Sequence, residues 1–427
     1  MKNKITSINN CLNCKNAGCN NHCFTETNIK EIINLLKDNK IDEAVKLQYQ
    51  QNSIGFICGK LCDHIRGCLG GCNNKKYPVK TNEICFYLGV ERLNLPLMKM
   101  NSRNKHVVII GGGVAGLVCA EQLLEKGFSV SIYEKSNSLG GVLNKTMPHF
   151  RYEMNYFIKW IDRLINLGLK INLNTEVKSI EEVEKYDYLV IATGADIAKR
   201  LYDDTKTIDA LKVLELAKLN KLNYKGLDVV VLGGGNTAYD VARVMKSLGN
   251  NVSIAYRRDI KNSPAAINEV ELAISEGIKV LECLAPKDII IKGDKKELVL
   301  NKTLLINDGG KRLNFVESTE RISIQCDLII EAIGANSNLK FIKENYPFLI
   351  NEKDYVSDIE NKNIYDIGDA YSGASTFANA NNSARICSSK IIEKEKRTVL
   401  FCTYHEYWTK LKLGNYELKD IMEKHYI

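Results

Sequence analysis

The chain has 427 residues, 45% hydrophobic and 26% charged, ordinary values for a globular protein of about three domains. They exclude a wholly disordered chain, a fibrous repeat and a coiled coil. Two distributions are uneven: nine of the 14 cysteines lie in the first 85 residues, and residues 1–104 carry 15 Lys+Arg against 8 Asp+Glu, or +7, where the remainder carries 44 against 43, or +1.

The N-terminus, Met1-Lys2-Asn3-Lys4-Ile5, is followed by polar residues and cysteines rather than an apolar stretch. No apolar run approaches the roughly 20 residues of a bilayer span, so neither a secretory leader nor a membrane helix is expected and a cytoplasmic location is. In a reducing compartment, closely spaced cysteines more often bind metal or do redox work than form disulfides. The lysines of the basic module are scattered, with no run longer than two, which does not favour a nucleic-acid partner.

Residues 1–100 read as short cysteine loops around two helices, 28–36 and 42–47, with Ile and Leu at helical spacing. The cysteines form two sets, Cys11-x2-Cys14-x4-Cys19-x3-Cys23 and Cys58-x3-Cys62-x5-Cys68-x3-Cys72, followed by Cys85. Thiolates at this spacing on loops can converge on a soft metal centre, either iron–sulfur clusters or structural zinc. Nine cysteines offer two complete sets of four and one spare.

A strand at 105–110 runs into Gly111-Gly112-Gly113-Val114-Ala115-Gly116, a helix extends to 126 and a second strand covers 129–133, a βαβ start. In the G-x-G-x-x-G pattern Gly111 allows the tight turn, Gly113 lets a pyrophosphate reach the backbone, and Gly116 lets helix and strand pack. The phosphates would rest on the helix N-terminus, at Val114 and Ala115, and Glu134 ends the next strand, placed for a ribose diol. Gly140-Gly141 soon after, and Tyr365-Asp366-Ile367-Gly368-Asp369 far downstream, favour FAD here. The latter stretch looks like the strand-Gly-Asp element of two-dinucleotide flavoproteins, with Thr376 opening a helix toward the isoalloxazine.

The same pattern recurs at 228–256: a strand, Gly233-Gly234-Gly235-Asn236-Thr237-Ala238, a helix over 238–248 and a strand over 251–256. Arg257 and Arg258 stand where an acid would bind a ribose 2′-OH, and guanidinium groups there suit a 2′-phosphate, so NADP(H) is expected ahead of NAD(H), with Lys261 adding to the site. Residues 280–326 look β-rich and irregular, and the tail after Thr398 helical or wrapping. The expected division is a helical iron–sulfur domain (1–100), an FAD-binding domain in two parts (105–200 and 331–397), an NAD(P)H-binding domain inserted between them (205–330) and a tail (398–427). The fold class is thus α/β, two Rossmann-like domains after a helical one.

A flavin reduced by a nicotinamide must pass its electrons on. The body has no C-x-x-C or C-x4-C pair; Cys119, Cys283, Cys326, Cys387 and Cys402 are singletons. The exit is therefore the N-terminal module, and with no segment left for a substrate domain the chemistry falls to a partner.

The segments GFICGKLC, GCLGGCN, IIGGGVAGLVCA, LGGVL…PHFRYE, VVVLGGGNTAYDVAR, YRR and IGDAYSG, in that order, resemble the small subunit of glutamate synthase and the N-terminal half of dihydropyrimidine dehydrogenase. The resemblance runs from Cys11 to about residue 390. It implies two [4Fe-4S] clusters, one held by Cys11, Cys14, Cys19 and Cys72, the other by Cys23, Cys62, Cys68 and a non-cysteine ligand whose place falls on Cys85. Relatives carry Gln or Glu there; all-cysteine ligation is expected here, with Cys58 the spare and a reduction potential lower than that of a Gln-ligated cluster. Phe24 and Asp63 replace prolines that the family has after Cys23 and Cys62, which are not ligands. Arg151, matching the family's P-x-F-R, is expected to contact FAD. The implied activity is hydride transfer from NAD(P)H to FAD, then single electrons through the clusters to a large catalytic subunit in a hetero-oligomer. The alternatives are a stand-alone or bifurcating NAD(P)H:ferredoxin oxidoreductase and a zinc-binding redox sensor or scaffold. No general acid is named, because hydride transfer needs alignment above all. Each cluster with four thiolates carries about −2, so two would bring the +7 module to roughly +3, which accounts for its basic excess.

Overall fold

The computed structural model describes residues 6–97, 99–307, 313–337, 339–350 and 362–411, with 397–411 as backbone alone. Four principal helices carry the first module: Ile29–Lys37 (α1), Ile41–Gln51 (α2), Gly55–Leu61 (α3) and Thr81–Asn94 (α4). The first begins where Asn28 accepts a hydrogen bond from the Glu31 N–H, an N-cap with an acid in the first turn and Lys37 in the last. It buries Ile29, Ile32 and Ile33, the stripe that its spacing predicts.

Only α1 and α2 correspond to expected helices; α3 and α4 do not. The segment GFICGKL of α3 has no polar face to reveal a period, since all but Lys60 is buried, and it holds two glycines. Those glycines serve tertiary packing. A Cβ on Gly89 of α4 would lie 2.1 Å from the Phe56 nitrogen, and one on Gly59 would lie 2.5 Å from the Phe86 Cβ, so the two helices cross backbone against backbone. The crossing sets Cys58 and Cys62 beside Cys85. Gly89→Ala should therefore destabilise the fold by about 1–3 kcal/mol through overpacking, read as a lower denaturant midpoint with unchanged slope.

A parallel sheet follows, built from His106–Ile110 (β1), Ser129–Tyr133 (β2), Lys170–Asn172 (β3) and Tyr188–Ile191 (β4), with helices Val114–Glu125 (α5) and Asn155–Asn166 (α6) between strands. A second parallel sheet takes Ile208–Asp209 (β5), Asp228–Leu232 (β6), Asn251–Tyr256 (β7) and Lys279–Glu282 (β8), with helices Ala210–Lys218 (α7), Asn236–Ser247 (α8) and Ile267–Ser275 (α9). The stretch expected to be irregular is a regular antiparallel meander of Leu284–Lys292 (β9), Lys295–Ile306 (β10) and Asn314–Cys326 (β11), its ladders interrupted near Pro286 and Asn301. Leu328–Glu331 (β12) then completes the second sheet in the order β5-β12-β6-β7-β8. Ile364–Asp366 (β13) returns to the first, giving β13-β4-β1-β2-β3. Strands β1, β4, β6 and β12 are almost wholly buried, as parallel strands covered on both faces must be. The helix Phe377–Leu411 (α10) ends the described chain; it takes in 398–411 of the expected tail, and 412–427 lie outside the described residues. No described helix is long and apolar enough to cross a membrane.

The cysteine-rich module is not a satellite. Ile54, Phe56, Ile57 and Leu61 belong to the same core as α5, α6 and α10, and the Phe56 ring meets Trp160 edge-on at 5.5 Å. A buried polar network reinforces the join. The Tyr49 hydroxyl donates to Glu125 at 2.9 Å, Arg92 pairs with Glu125, and Glu121 accepts from Trp160 Nε1 at 3.0 Å with Arg92 and Arg163 nearby. Burial pushes the Glu121 carboxyl up to about 7, from 4.5, against the opposing pull of Arg92. The folded chain therefore holds a proton that the unfolded chain has released between pH 4.5 and 7, and stability should fall as pH rises through that window. Glu121→Gln should flatten that slope in urea titrations at a series of pH values.

Candidate functional site

The cysteines gather around two neighbouring cavities. One is lined by Cys11, Cys14, Cys19 and Cys72. The other is lined by Cys23, Cys62, Cys68 and Cys85, with Cys58 as a fifth thiol, and Thr81 forms part of both walls. No cysteine among the described residues is in a disulfide. Among the described residues no three His, Cys, Asp or Glu side chains close on a single point; the thiols line the walls of the two cavities.

The second cavity has a shell of polar side chains aimed at its sulfurs. Thr81 Oγ1 donates to Cys68 Sγ at 3.0 Å, Asn52 Nδ2 to Cys85 Sγ at 3.5 Å, and Thr25 Oγ1 lies 3.3 Å from Cys23 Sγ. His64 Nδ1 is 3.4 Å from Cys68 Sγ, and its Nε2 is 2.9 Å from the Cys58 carbonyl. Burial pushes the Cys19 thiol up to about 11 and Cys68 to about 12. Cys85 is raised chiefly by burial, and Cys62 chiefly by its hydrogen bond with Cys58 and then by burial. Such thiols ionise only against a strong positive charge, which a metal core supplies.

The first glycine loop turns sharply from β1 into α5. Gly111 sits at φ +111°, where a Cβ would lie 2.2 Å from the Ala192 carbonyl oxygen, and a Cβ on Gly116 would strike the Gly111 oxygen at the same distance. Gly113, by contrast, faces open space above the helix N-terminus formed by Val114, Ala115 and Gly116. That is the cradle a pyrophosphate needs. Glu134 is buried, and its carboxylate accepts from the Gly112 N–H at 2.8 Å and the Ser136 N–H at 2.9 Å, so it braces the loop and retains acceptor capacity for a diol. Gly141 closes against Gly113, and Gly140 donates to the Gly112 carbonyl at 2.8 Å. Gly368, at φ +67°, stands against Ala115, and Asp369 accepts from Ser375 at 2.7 and 3.0 Å just ahead of Thr376. Residues more than 200 positions apart thus meet at one loop.

The second loop repeats the construction. Gly233, at φ +141°, would drive a Cβ to within 2.3 Å of the Ala332 oxygen, as Gly111 does at Ala192. The nearest atom to a Cβ on Gly235 is Pro264 Cγ, at 4.0 Å. Half-buried Asn236 and Thr237 open α8, and Asn236 accepts from the Ala266 N–H at 2.9 Å. The guanidinium of Arg257 stacks 4.9 Å from the Phe315 ring centre and that of Arg258 at 5.5 Å, while Arg258 Nε donates to the Leu313 carbonyl at 2.6 Å. Strand β11 therefore holds both arginines at the end of β7, and Lys261 is exposed in the next turn.

Arg151, expected at the flavin, turns its guanidinium toward the second sheet unit. Nη1 donates to both Asp240 oxygens, at 2.9 and 3.0 Å, Nε lies 3.3 Å from Glu269, and Glu269 also pairs with Arg243. Asp240 and Glu269 lie on α8 and α9, so this buried pair ties the segment after the first loop to the helix behind the second. The partners sit at positions 151, 240 and 269, and no local pattern marks them. Cys58, expected as the spare thiol, faces the second cavity from its place on α3.

Residues 105–384 match the pyridine nucleotide-disulphide oxidoreductase family, and residues 2–92 match dihydropyrimidine dehydrogenase domain II, 4Fe-4S cluster. The chain is similar to the oxidoreductase AegA of Escherichia coli, 29% identical over 90% of this chain and 64% of that protein. It is also similar to the small chain of glutamate synthase [NADPH] from Escherichia coli, 28% identical over 76% of this chain and 75% of that one. Among solved structures, Mycobacterium tuberculosis FprA in complex with NADPH shares the fold, with a TM-score of 0.60 at 16% identity over 70% of this chain and 86% of that one.

Proposed function

The chain belongs to the pyridine nucleotide-disulphide oxidoreductase family, an FAD-dependent NAD(P)H oxidoreductase with a [4Fe-4S] domain at its N-terminal end, and from that membership we propose that it is an electron-transfer subunit. NADPH would give hydride to FAD, and two [4Fe-4S] clusters would deliver single electrons to a large catalytic subunit. The observation that carries this reading is the pair of thiol-ringed cavities, one lined by five cysteines and the other by four, in a chain with a duplicated dinucleotide loop.

The chain's own residues then do the following. Gly111, Gly113 and Gly116, with Gly141, Gly368, Asp369 and Thr376, shape the site for FAD, and Glu134 stiffens it. Gly233, Gly235, Asn236 and Thr237 receive the nicotinamide nucleotide's pyrophosphate, and Arg257, Arg258 and Lys261 its 2′-phosphate. Cys23, Cys62, Cys68 and Cys85 line the cavity nearer the flavin side, because its loops are tied to α10, whose N-terminal turn follows Thr376. Asn382 donates to the Phe24 carbonyl at 2.9 Å and Arg385 to the Gln50 carbonyl at 2.8 Å. Cys11, Cys14, Cys19 and Cys72 line the outer one. The absence of a paired cysteine in the body, despite the family's name, fits an exit through this module. We read the second sheet unit as inserted into the first, since β13 rejoins β4 after it.

Anaerobically purified protein should hold one FAD and about eight irons with matching sulfide. One or two zincs and no flavin would overturn the reading. Reduction of a co-purifying flavoprotein by NADPH identifies the acceptor; fast ferredoxin reduction without one makes the chain a stand-alone reductase. Arg257→Ala should raise KM for NADPH about 10- to 100-fold, the worth of one or two charged hydrogen bonds, and leave KM for NADH unchanged.

A further inference from the structure

Arg66 lies between two cysteines of the inner cavity, Cys62 and Cys68, yet its side chain reaches into the second sheet unit. Nη1 donates to the Ala265 carbonyl at 2.6 Å and Nη2 to the Ser263 carbonyl at 3.0 Å, and Nη1 also pairs with Asp63, next to Cys62, at 2.9 Å. The 263–266 segment is the outer wall of the second glycine loop. Ser263 Oγ donates to the Gly234 carbonyl at 2.7 Å, the Ala266 N–H donates to Asn236, and Pro264 Cγ would lie 4.0 Å from a Cβ on Gly235. Ser263, Ala265 and Ala266 are buried, so the two carbonyls have little water to turn to. One guanidinium therefore bridges the cysteine-bearing loop and the loop that would hold the nucleotide's phosphates.

We propose that Arg66 is a positioning residue that makes the iron–sulfur domain part of the wall of the nicotinamide-nucleotide site and couples occupancy of that site to the inner cavity. This rests on the assignment of the second loop to NADP(H) and of the inner cavity to a cluster. With nucleotide bound, the 263–266 wall is held against Gly235 and the guanidinium is held with it, facing away from the sulfurs. Added negative charge in the cavity pulls the guanidinium toward the cysteine loop and loosens its grip on Ser263 and Ala265. Oxidised nucleotide then binds more weakly to the reduced protein, and by linkage its binding lowers the inner potential by the corresponding amount. A fivefold difference in affinity, at the low end of coupling energies, equals about 40 mV for a one-electron couple at 59 mV per tenfold.

The test uses the full-length holoprotein with NADP+ as probe. Three readouts are taken: the equilibrium Kd of NADP+, the midpoint of each cluster by EPR-monitored titration with and without NADP+, and amide exchange of 60–70. In the unsubstituted chain NADP+ should lower one midpoint by about 40 mV and slow exchange at 60–70. Arg66→Ala, with iron and flavin content unchanged, should weaken NADP+ binding about fivefold and abolish both effects. Arg66→Lys keeps the charge but cannot grip both carbonyls; it should fall between, and it carries the test should R66A lose iron. A Kd, a midpoint shift and an exchange pattern in these variants equal to the unsubstituted chain's would overturn the coupling alone. A native chain that binds no NADP+ would overturn the nucleotide assignment and the coupling with it.

Discussion

Cys85→Ser should leave FAD in place and take the iron content from about eight per chain toward four, with loss of one EPR signal. Cys85 is the thiol that α4, rather than a cysteine-rich loop, brings to the inner cavity, and it reaches it because Gly55, Gly59 and Gly89 let α3 and α4 touch. NADPH-dependent dye reduction at the flavin should persist, while delivery to the partner should fall to background. Cys85→Gln is the sharper variant. It restores the residue that the resembling families carry, so iron should stay while the inner midpoint rises, because one anionic ligand is replaced by a neutral one. Cys58→Ser, if Cys58 is the spare thiol, should keep full iron. Retention of all iron in C85S together with loss in C58S would reassign the fourth ligand to Cys58.

Arg151→Met should be the most destabilising single change outside the cysteines. The guanidinium is almost fully buried, its Nη1 donates to both Asp240 oxygens and its Nε lies beside Glu269; without it Asp240 would be left as an uncompensated carboxylate, while Glu269 keeps its pair with Arg243. Breaking such a pair costs about 3–5 kcal/mol. Burial already pushes the Asp240 carboxyl up to about 6 against the pull of Arg151, so without the arginine it should rise further and take up a proton. The loss should therefore be larger at pH 8 than at pH 5, and the double variant Arg151→Met, Asp240→Leu should recover part of it. Equal destabilisation at both pH values would place the effect in packing rather than charge. Arg151 thus braces the two dinucleotide units, a role that its place in a flavin-associated motif does not suggest.

Both dinucleotide loops were legible in the sequence because their constraints are local. The positive φ of Gly111 and Gly233 and the contact of Gly116 with the turn just before it fit within one strand–turn–helix, while the Ala192 and Ala332 carbonyls that the first glycines pack against come from distant strands' ends. The cysteine spacing is local in the same sense, and each expected ligand set lines one cavity. The helices α3 and α4 were not legible: α3, buried at all but Lys60, has no polar face to show its period, and the glycines that serve the close crossing with α4 look like helix breakers.

Composition and spacing by themselves determined a basic, cysteine-rich module ahead of a neutral α/β body with two phosphate-binding turns, and with them the kind of chemistry expected. Tertiary structure alone decided that the module shares a core with the first sheet unit, that Arg66 and Arg151 reach across to the second, and that Cys58 faces the inner cavity beside the four expected cysteines. Turn and spacing rules act over a few residues, where sterics leave a visible signature. A buried ion pair or a glycine crossing joins positions tens to hundreds of residues apart, and each partner looks ordinary until the fold brings them together.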